Sequence, residues 1–133
     1  MLLKTVSVFT GPLHYALDRM NQPDKATVYY RKALKLSPGN PQVNNNLGNL
    51  LVKKENYAEA ILHFKAALQV NQNYKKAHNN IAIAYLHNSE PHKAIAHLKT
   101  ALRIDPNYSG ARKNLEKIEA YQEKRETVGT RHH

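Results

Sequence analysis

The stretch Pro41–Tyr74, PQVNNNLGNLLVKKENYAEAILHFKAALQVNQNY, runs without a gap into Lys75–Tyr108, KKAHNNIAIAYLHNSEPHKAIAHLKTALRIDPNY, and the two align residue for residue. Leu47 stands over Ile81, Gly48 over Ala82, Ala60 over Ala94, Phe64 over Leu98, Ala67 over Ala101 and Leu68 over Leu102. Working outward, the same 34-residue offset carries Ala60 back to Ala26, Phe64 back to Tyr30, Ala67 back to Ala33 and Leu47 back to Leu13, and it carries Ile81 forward to Leu115. A fixed period of this length marks a chain of supersecondary units, each burying its apolar face on its neighbour.

Within each period the apolar residues recur at helical spacing. Ala60, Ile61, Phe64, Ala67 and Leu68 form one buried stripe, and Leu47, Leu50 and Leu51 form another on a helix that precedes it. Gly39-Asn40 opens that first helix with Pro41 in its first turn, where no intrahelical N–H is required. Asn56-Tyr57 breaks it from the second. Asn88-Ser89-Glu90-Pro91 makes the same break one period later, with Ser89 expected as the N-cap, and Asn21-Gln22-Pro23-Asp24 makes it one period earlier. Gly48, Ala82 and the two alanine columns leave little bulk where helices cross, so backbones can approach closely.

Composition bounds the function. The chain has 133 residues, 41% hydrophobic and 23% charged, with no run of apolar residues long enough to span a bilayer. The opening Met1–Phe9 stretch is interrupted by Lys4 and does not read as a signal peptide. No cysteine is present, so disulfide and thiolate chemistry are excluded and the compartment is left open, with the cytoplasm slightly favoured. Lys and Arg total 20 against 10 Asp and Glu, a net charge of +10 that favours acidic partners through long-range steering.

The residues Leu47-Gly48, Leu51, Tyr57, Ala60, Phe64 and Ala67 at these offsets resemble the tetratricopeptide repeat. The resemblance implies an all-α, right-handed superhelical solenoid of antiparallel helix pairs, three repeats followed by a capping helix. The expected organisation is an N-terminal extension at 1–6, an irregular first repeat at 7–40, repeats at 41–74 and 75–108, a capping helix at 109–126 and a disordered tail at 127–133. Leu115 and Ile118 are expected to cover the last repeat, with Glu116, Glu119, Glu123 and Lys124 toward water. The first repeat departs from the pattern: His14 occupies the Gly48/Ala82 position, and Gly11-Pro12 forces its first helix to be short. Leu2, Leu3, Val6, Val8 and Phe9 either fold back over that edge or leave it open to self-association.

The family's groove is lined by the first helix of each repeat, and asparagines are concentrated there. Asn46, Asn80 and Asn114 form a column one repeat apart, joined by Asn45, Asn79 and Asn49. Asparagine is an indifferent helix former, so propensity does not explain them. An amide pairs with both the C=O and the N–H of an extended peptide and so grips backbone without reading sequence. The column resembles the asparagine ladder in the repeat domain of O-linked N-acetylglucosamine transferase. The carboxylate clamp known in the family fits less well: Asn49 and Asn80 match its asparagines, but Asn45 replaces a lysine, and a clamp without its cations loses its charge-assisted bonds.

Lys76 and Lys113, together with Lys53 and Lys117, lie on or beside the groove, while Lys25, Arg31, Lys32, Lys65, Lys99 and Arg103 belong to second helices. The charge is thus a general basic field, not a phosphate track. Eight histidines include His63 and His97 at equivalent positions, but none has metal-site spacing with other ligands, and no metal or cofactor is expected. No phosphate loop, nucleophile elbow or metalloprotease motif is present, so no catalytic residue is assigned. The sequence therefore predicts a non-enzymatic adaptor that holds an extended, acidic peptide of another protein through Asn45, Asn46, Asn49, Lys76, Asn79, Asn80, Lys113 and Asn114. A homo-oligomerising module is the first alternative. A single-stranded RNA binder is the second, disfavoured because its 35-residue relatives have a different repeat pattern.

Overall fold

A computed structural model describes residues 22–131. Among them are six α-helices: α1 (Pro23–Leu36), α2 (Pro41–Lys53), α3 (Tyr57–Val70), α4 (Lys75–His87), α5 (Pro91–Ile104) and α6 (Ser109–Arg131). The described residues up to Gln72 form one compact unit and those from Asn73 form a second.

The first unit holds α1, α2 and α3. The helices α2 and α3 pack as an antiparallel pair, burying Leu47, Leu50 and Leu51 against Ala60, Ile61, Phe64 and Ala67, with Ala26 and Tyr30 of α1 completing the core. The second unit repeats the pair: Ala77, Ile81, Ala84 and Tyr85 of α4 meet Ala94, Leu98 and Ala101 of α5, and α6 adds Ala111 and Ile118. Leu115 is half-buried, and Glu116, Glu119, Glu123 and Lys124 are exposed.

Gly48 is required by the packing. A Cβ there would stand 2.5 Å from Cε1 of the fully buried Phe64 ring. The second unit divides the volume differently, with Ala82 and the smaller Leu98 buried at the positions of Gly48 and Phe64.

The helix starts follow from their prolines. Pro23, Pro41 and Pro91 each sit in the first turn, and the Asn40 side chain accepts from the Val43 N–H at 3.1 Å. The break after α4 differs from the expectation. Ser89 does not cap α5: that position falls to Glu90, and Ser89 lies past the end of α4 with a left-handed φ of 62°. Its N–H donates to the Leu86 carbonyl and that of Glu90 to the Tyr85 carbonyl, the Schellman pattern that satisfies the last carbonyls of a helix. Glu55 does the same after α2 at φ 61°, with Glu55 N–H to Val52 and Asn56 N–H to Leu51.

The C-terminal helix is a second difference. A tail was expected from residue 127, but α6 runs on to Arg131. Its last turns contain the helix-forming Glu123, Lys124 and Arg125, and Thr127 satisfies its hydroxyl on the Glu123 and Lys124 carbonyls. The expectations for a short helix from Pro12, for His14, for the Met1–Phe9 apolar segment and for His132-His133 lie outside the described residues.

Candidate functional site

In the first unit, α2 carries Asn44, Asn45, Asn46 and Asn49. Asn44 and Asn45 are buried, at 1% and 3% exposure, whereas Asn46 and Asn49 are half-buried. The Asn44 Nδ2 donates to the Pro38 carbonyl at 3.0 Å, which turns its Oδ1 toward Nδ1 of His63 at 3.0 Å. A carbonyl oxygen only accepts, so the His63 Nδ1 carries the hydrogen and donates. The Nε2 of the same ring lies 3.8 Å from the Glu59 carboxylate, which accepts from Arg31 at 2.9 Å. The Arg31 bond holds the Glu59 carboxyl below its usual range. Burial pushes the His63 pKa down, opposed by the Glu59 charge and assisted by that of Arg31.

In the second unit, α4 carries Lys76, Asn79 and Asn80, and α6 carries Lys113 and Asn114. Asn79 and Asn114 are brought together: the Asn114 Nδ2 donates to the Asn79 Oδ1 at 2.9 Å. Asn79 is buried, Asn80 and Asn114 are half-buried, and Lys76 and Lys113 are exposed. The neighbouring Lys75 is held elsewhere, on Asp105 at 2.6 Å and over the Tyr108 ring at 5.3 Å, and it keeps the Asp105 carboxyl below the usual range.

His78 and His97 occupy the positions of Asn44 and His63 one period on. Their Nδ1 atoms are 3.0 Å apart, so one ring donates and the other accepts. His97 also stacks on Tyr85 at 5.6 Å, and Lys93 lies over the same Tyr85 ring at 5.4 Å. The run of asparagines in α2 is thus divided: Asn44 is hydrogen-bonded inside the fold, and Asn46 and Asn49 are half-buried. The sequence signal for the internal pair was present, since residues 44 and 78, like 63 and 97, are one period apart.

Sequence reasoning also missed a cleft of about 570 Å³ in the second unit, walled by Leu86 at the end of α4, Pro91 at the start of α5, and Lys117, Ile118, Tyr121 and Arg125 of α6. No hydrophobic period identifies it, because its floor combines the end of α4 and the start of α5 with the middle of α6.

Residues 15–75 and 45–109 each match the profile of the Tetratricopeptide repeat family, and the chain belongs to that family. No curated protein matches the sequence. Among solved structures, the chain is similar to the first tetratricopeptide repeat domain of Spaghetti (RPAP3), solved bound to the HSP90 peptide SRMEEVD. The TM-score is 0.84 at 20% identity, over 89% of this chain and 94% of that one. The second such domain of human RPAP3, in complex with the HSP70 peptide SGPTIEEVD, gives 0.81 at 18% identity, over 87% and 97%. The O-GlcNAc transferase of Thermobaculum terrenum gives 0.82 at 18% identity, over 86% of this chain and 22% of that one. At these identities the likeness establishes the fold alone.

Proposed function

We propose that the protein is a protein-interaction module that binds an extended, acidic peptide segment of another protein. The side-chain amides of Asn46, Asn80 and Asn114 hold the peptide backbone, and the exposed Lys76 and Lys113 attract its carboxylates. Asn49 adds a further amide on α2. Asn45 and Asn79 are buried and do not face a ligand directly; Asn79 acts by holding Asn114.

The observation that carries this reading is the Asn114–Asn79 bond. It uses one N–H of the Asn114 amide and so fixes the plane of the group, while its Oδ1 and second N–H stay free to meet a peptide N–H and C=O. A half-buried amide already held in orientation loses little entropy on binding. The solved relatives that carry acidic peptides on the same fold support the partner class.

Fluorescence anisotropy with labelled SGPTIEEVD as the probe tests the reading, alongside a second peptide in which lysines replace its acids. The acidic peptide should bind more tightly than the basic one. The triple variant Asn46→Ala, Asn80→Ala, Asn114→Ala should weaken it by roughly 100-fold, about 3 kcal/mol for lost backbone bonds, with helical circular dichroism unchanged. Undiminished binding by the triple variant would refute the assignment of these amides.

A further inference from the structure

Helical spacing places Asn114, Lys117, Ile118, Tyr121 and Arg125 of α6 on one face. At the Asn114 end this face meets Asn79 of α4; two turns on it meets Leu86 of the same helix across the cleft. The surface therefore changes character along its length, from paired amides to an apolar floor of Leu86, Pro91, Ile118 and Tyr121 edged by two cations. Leu86 and Tyr121 are 43% and 63% exposed, which is unusual for side chains of their size grouped in one concavity. The residues lining the cleft include Lys117 and Arg125 and no carboxylate.

The geometry points to an apolar anchor site: we infer that this cleft takes one large aliphatic side chain of an acidic peptide, whose flanking carboxylates pair with Lys117 and Arg125. Charge decides among occupants. A second copy of this chain would bring another +10 surface onto a cationic rim, whereas an acidic segment meets it with opposite sign. Concavity favours a single inserted side chain over a flat lipid surface, because an enclosed apolar group is desolvated on several sides at once. Two of the lining residues, Gln122 and Arg125, lie on the part of α6 beyond the 13-residue length of α2 and α4, so the earlier repeats have no equivalent of the complete site. The site is distinct from the asparagine column and can succeed or fail independently of it.

The test uses the full chain and two labelled nonapeptides of Glu and Asp, one with a central Leu and one with a central Ser. The Leu peptide should bind at least about tenfold more tightly than the Ser peptide, the cost of leaving an apolar pocket unfilled. Tyr121→Ala should remove that discrimination, and Lys117→Glu with Arg125→Glu should weaken both peptides. All three positions are exposed, so circular dichroism should not change. The discrimination should survive in the Asn46→Ala, Asn80→Ala, Asn114→Ala variant, which separates this site from the amide column. Equal affinity for the two peptides would overturn the inference. So would a concentration-dependent mass in light scattering that Tyr121→Ala abolishes, which assigns the cleft to a second copy, or sedimentation with anionic vesicles that the same variant abolishes, which assigns it to a lipid surface.

Discussion

Asn44 is fixed by two bonds at once. Asn44→Ala removes them from the part-buried His63 N–H and from the carbonyl of the exposed Pro38, and takes away a side chain that is itself 1% exposed; it should cost about 1–2 kcal/mol in urea unfolding. The same position one period on is His78, and His78→Asn rebuilds in the second unit the pair the first unit already uses. That change should leave stability within about 0.5 kcal/mol of wild type; a loss as large as that of Asn44→Ala would show that the two units are not interchangeable here. His63 adds a pH dependence. Its native pKa is depressed by burial, so the unfolded chain binds more protons than the folded one just below the ordinary histidine value of about 6.5. Stability from this group is complete above that value and falls as the pH drops through it. His63→Gln should flatten this part of the stability profile between about pH 7 and 5, and an unchanged slope would contradict the burial argument. Glu59, held low mainly by Arg31, loses its contribution in a more acid window, below its ordinary value of 4.5.

At the scale of the helix pair, volume is exchanged across the crossing point. Gly48→Ala drives a methyl into the Phe64 ring and should destabilise by about 1–3 kcal/mol. Combining it with Phe64→Leu reproduces the Ala82–Leu98 division of the second unit and should recover at least half of that loss, a coupling a double-mutant cycle would measure. Simple additivity would sink the exchange argument. The helix ends offer a second test. Glu55 and Ser89 occupy the left-handed position of a Schellman motif, where a Cβ is unfavourable. Glu55→Gly or Ser89→Gly should raise thermal stability by about 0.5–1 kcal/mol each. These ends also show what was legible beforehand. Pro41 and Pro91 placed the helix starts correctly because proline fixes φ whatever its surroundings. Ser89 was misassigned because a serine beside Glu-Pro has the chemistry of a cap, and only the backbone reveals that its φ is positive. The extension of α6 to Arg131 was missed for a related reason: Thr127, Val128, Gly129 and Thr130 carry no apolar period and are indifferent helix formers, so nothing local to them marks the helix as continuing.

At the scale of the whole chain, the period was enough to define the fold, because columns such as Ala60/Ala94 and Phe64/Leu98 report buried positions directly. The candidate site was only half legible. Asparagine type and spacing mark Asn46, Asn80 and Asn114 as candidates, but only burial separates them from Asn44 and Asn45, and burial depends on which face of α2 packs against α3. The cleft was illegible altogether, since Leu86 and Pro91 flank a helix break, Tyr121 lies on a later helix, and the three share no register. Charge, in contrast, is fully readable and supplies the last prediction. With 20 cations and 10 acids, half of the Lys and Arg charge has no compensating carboxylate, and Lys76, Lys113, Lys117 and Arg125 belong to the exposed part of it. Such a field acts before contact, so it should govern the rate of encounter more than the lifetime of the complex. Stopped-flow association with SGPTIEEVD should slow by about tenfold as salt rises from about 50 to 500 mM, while dissociation changes by less than about threefold. Lys76→Gln with Lys113→Gln should reduce the salt dependence of association and leave the Leu-over-Ser discrimination of the cleft intact. A dissociation rate that carries most of the salt effect would instead mean that the cations are buried in the bound complex, and would move them from steering to direct contact.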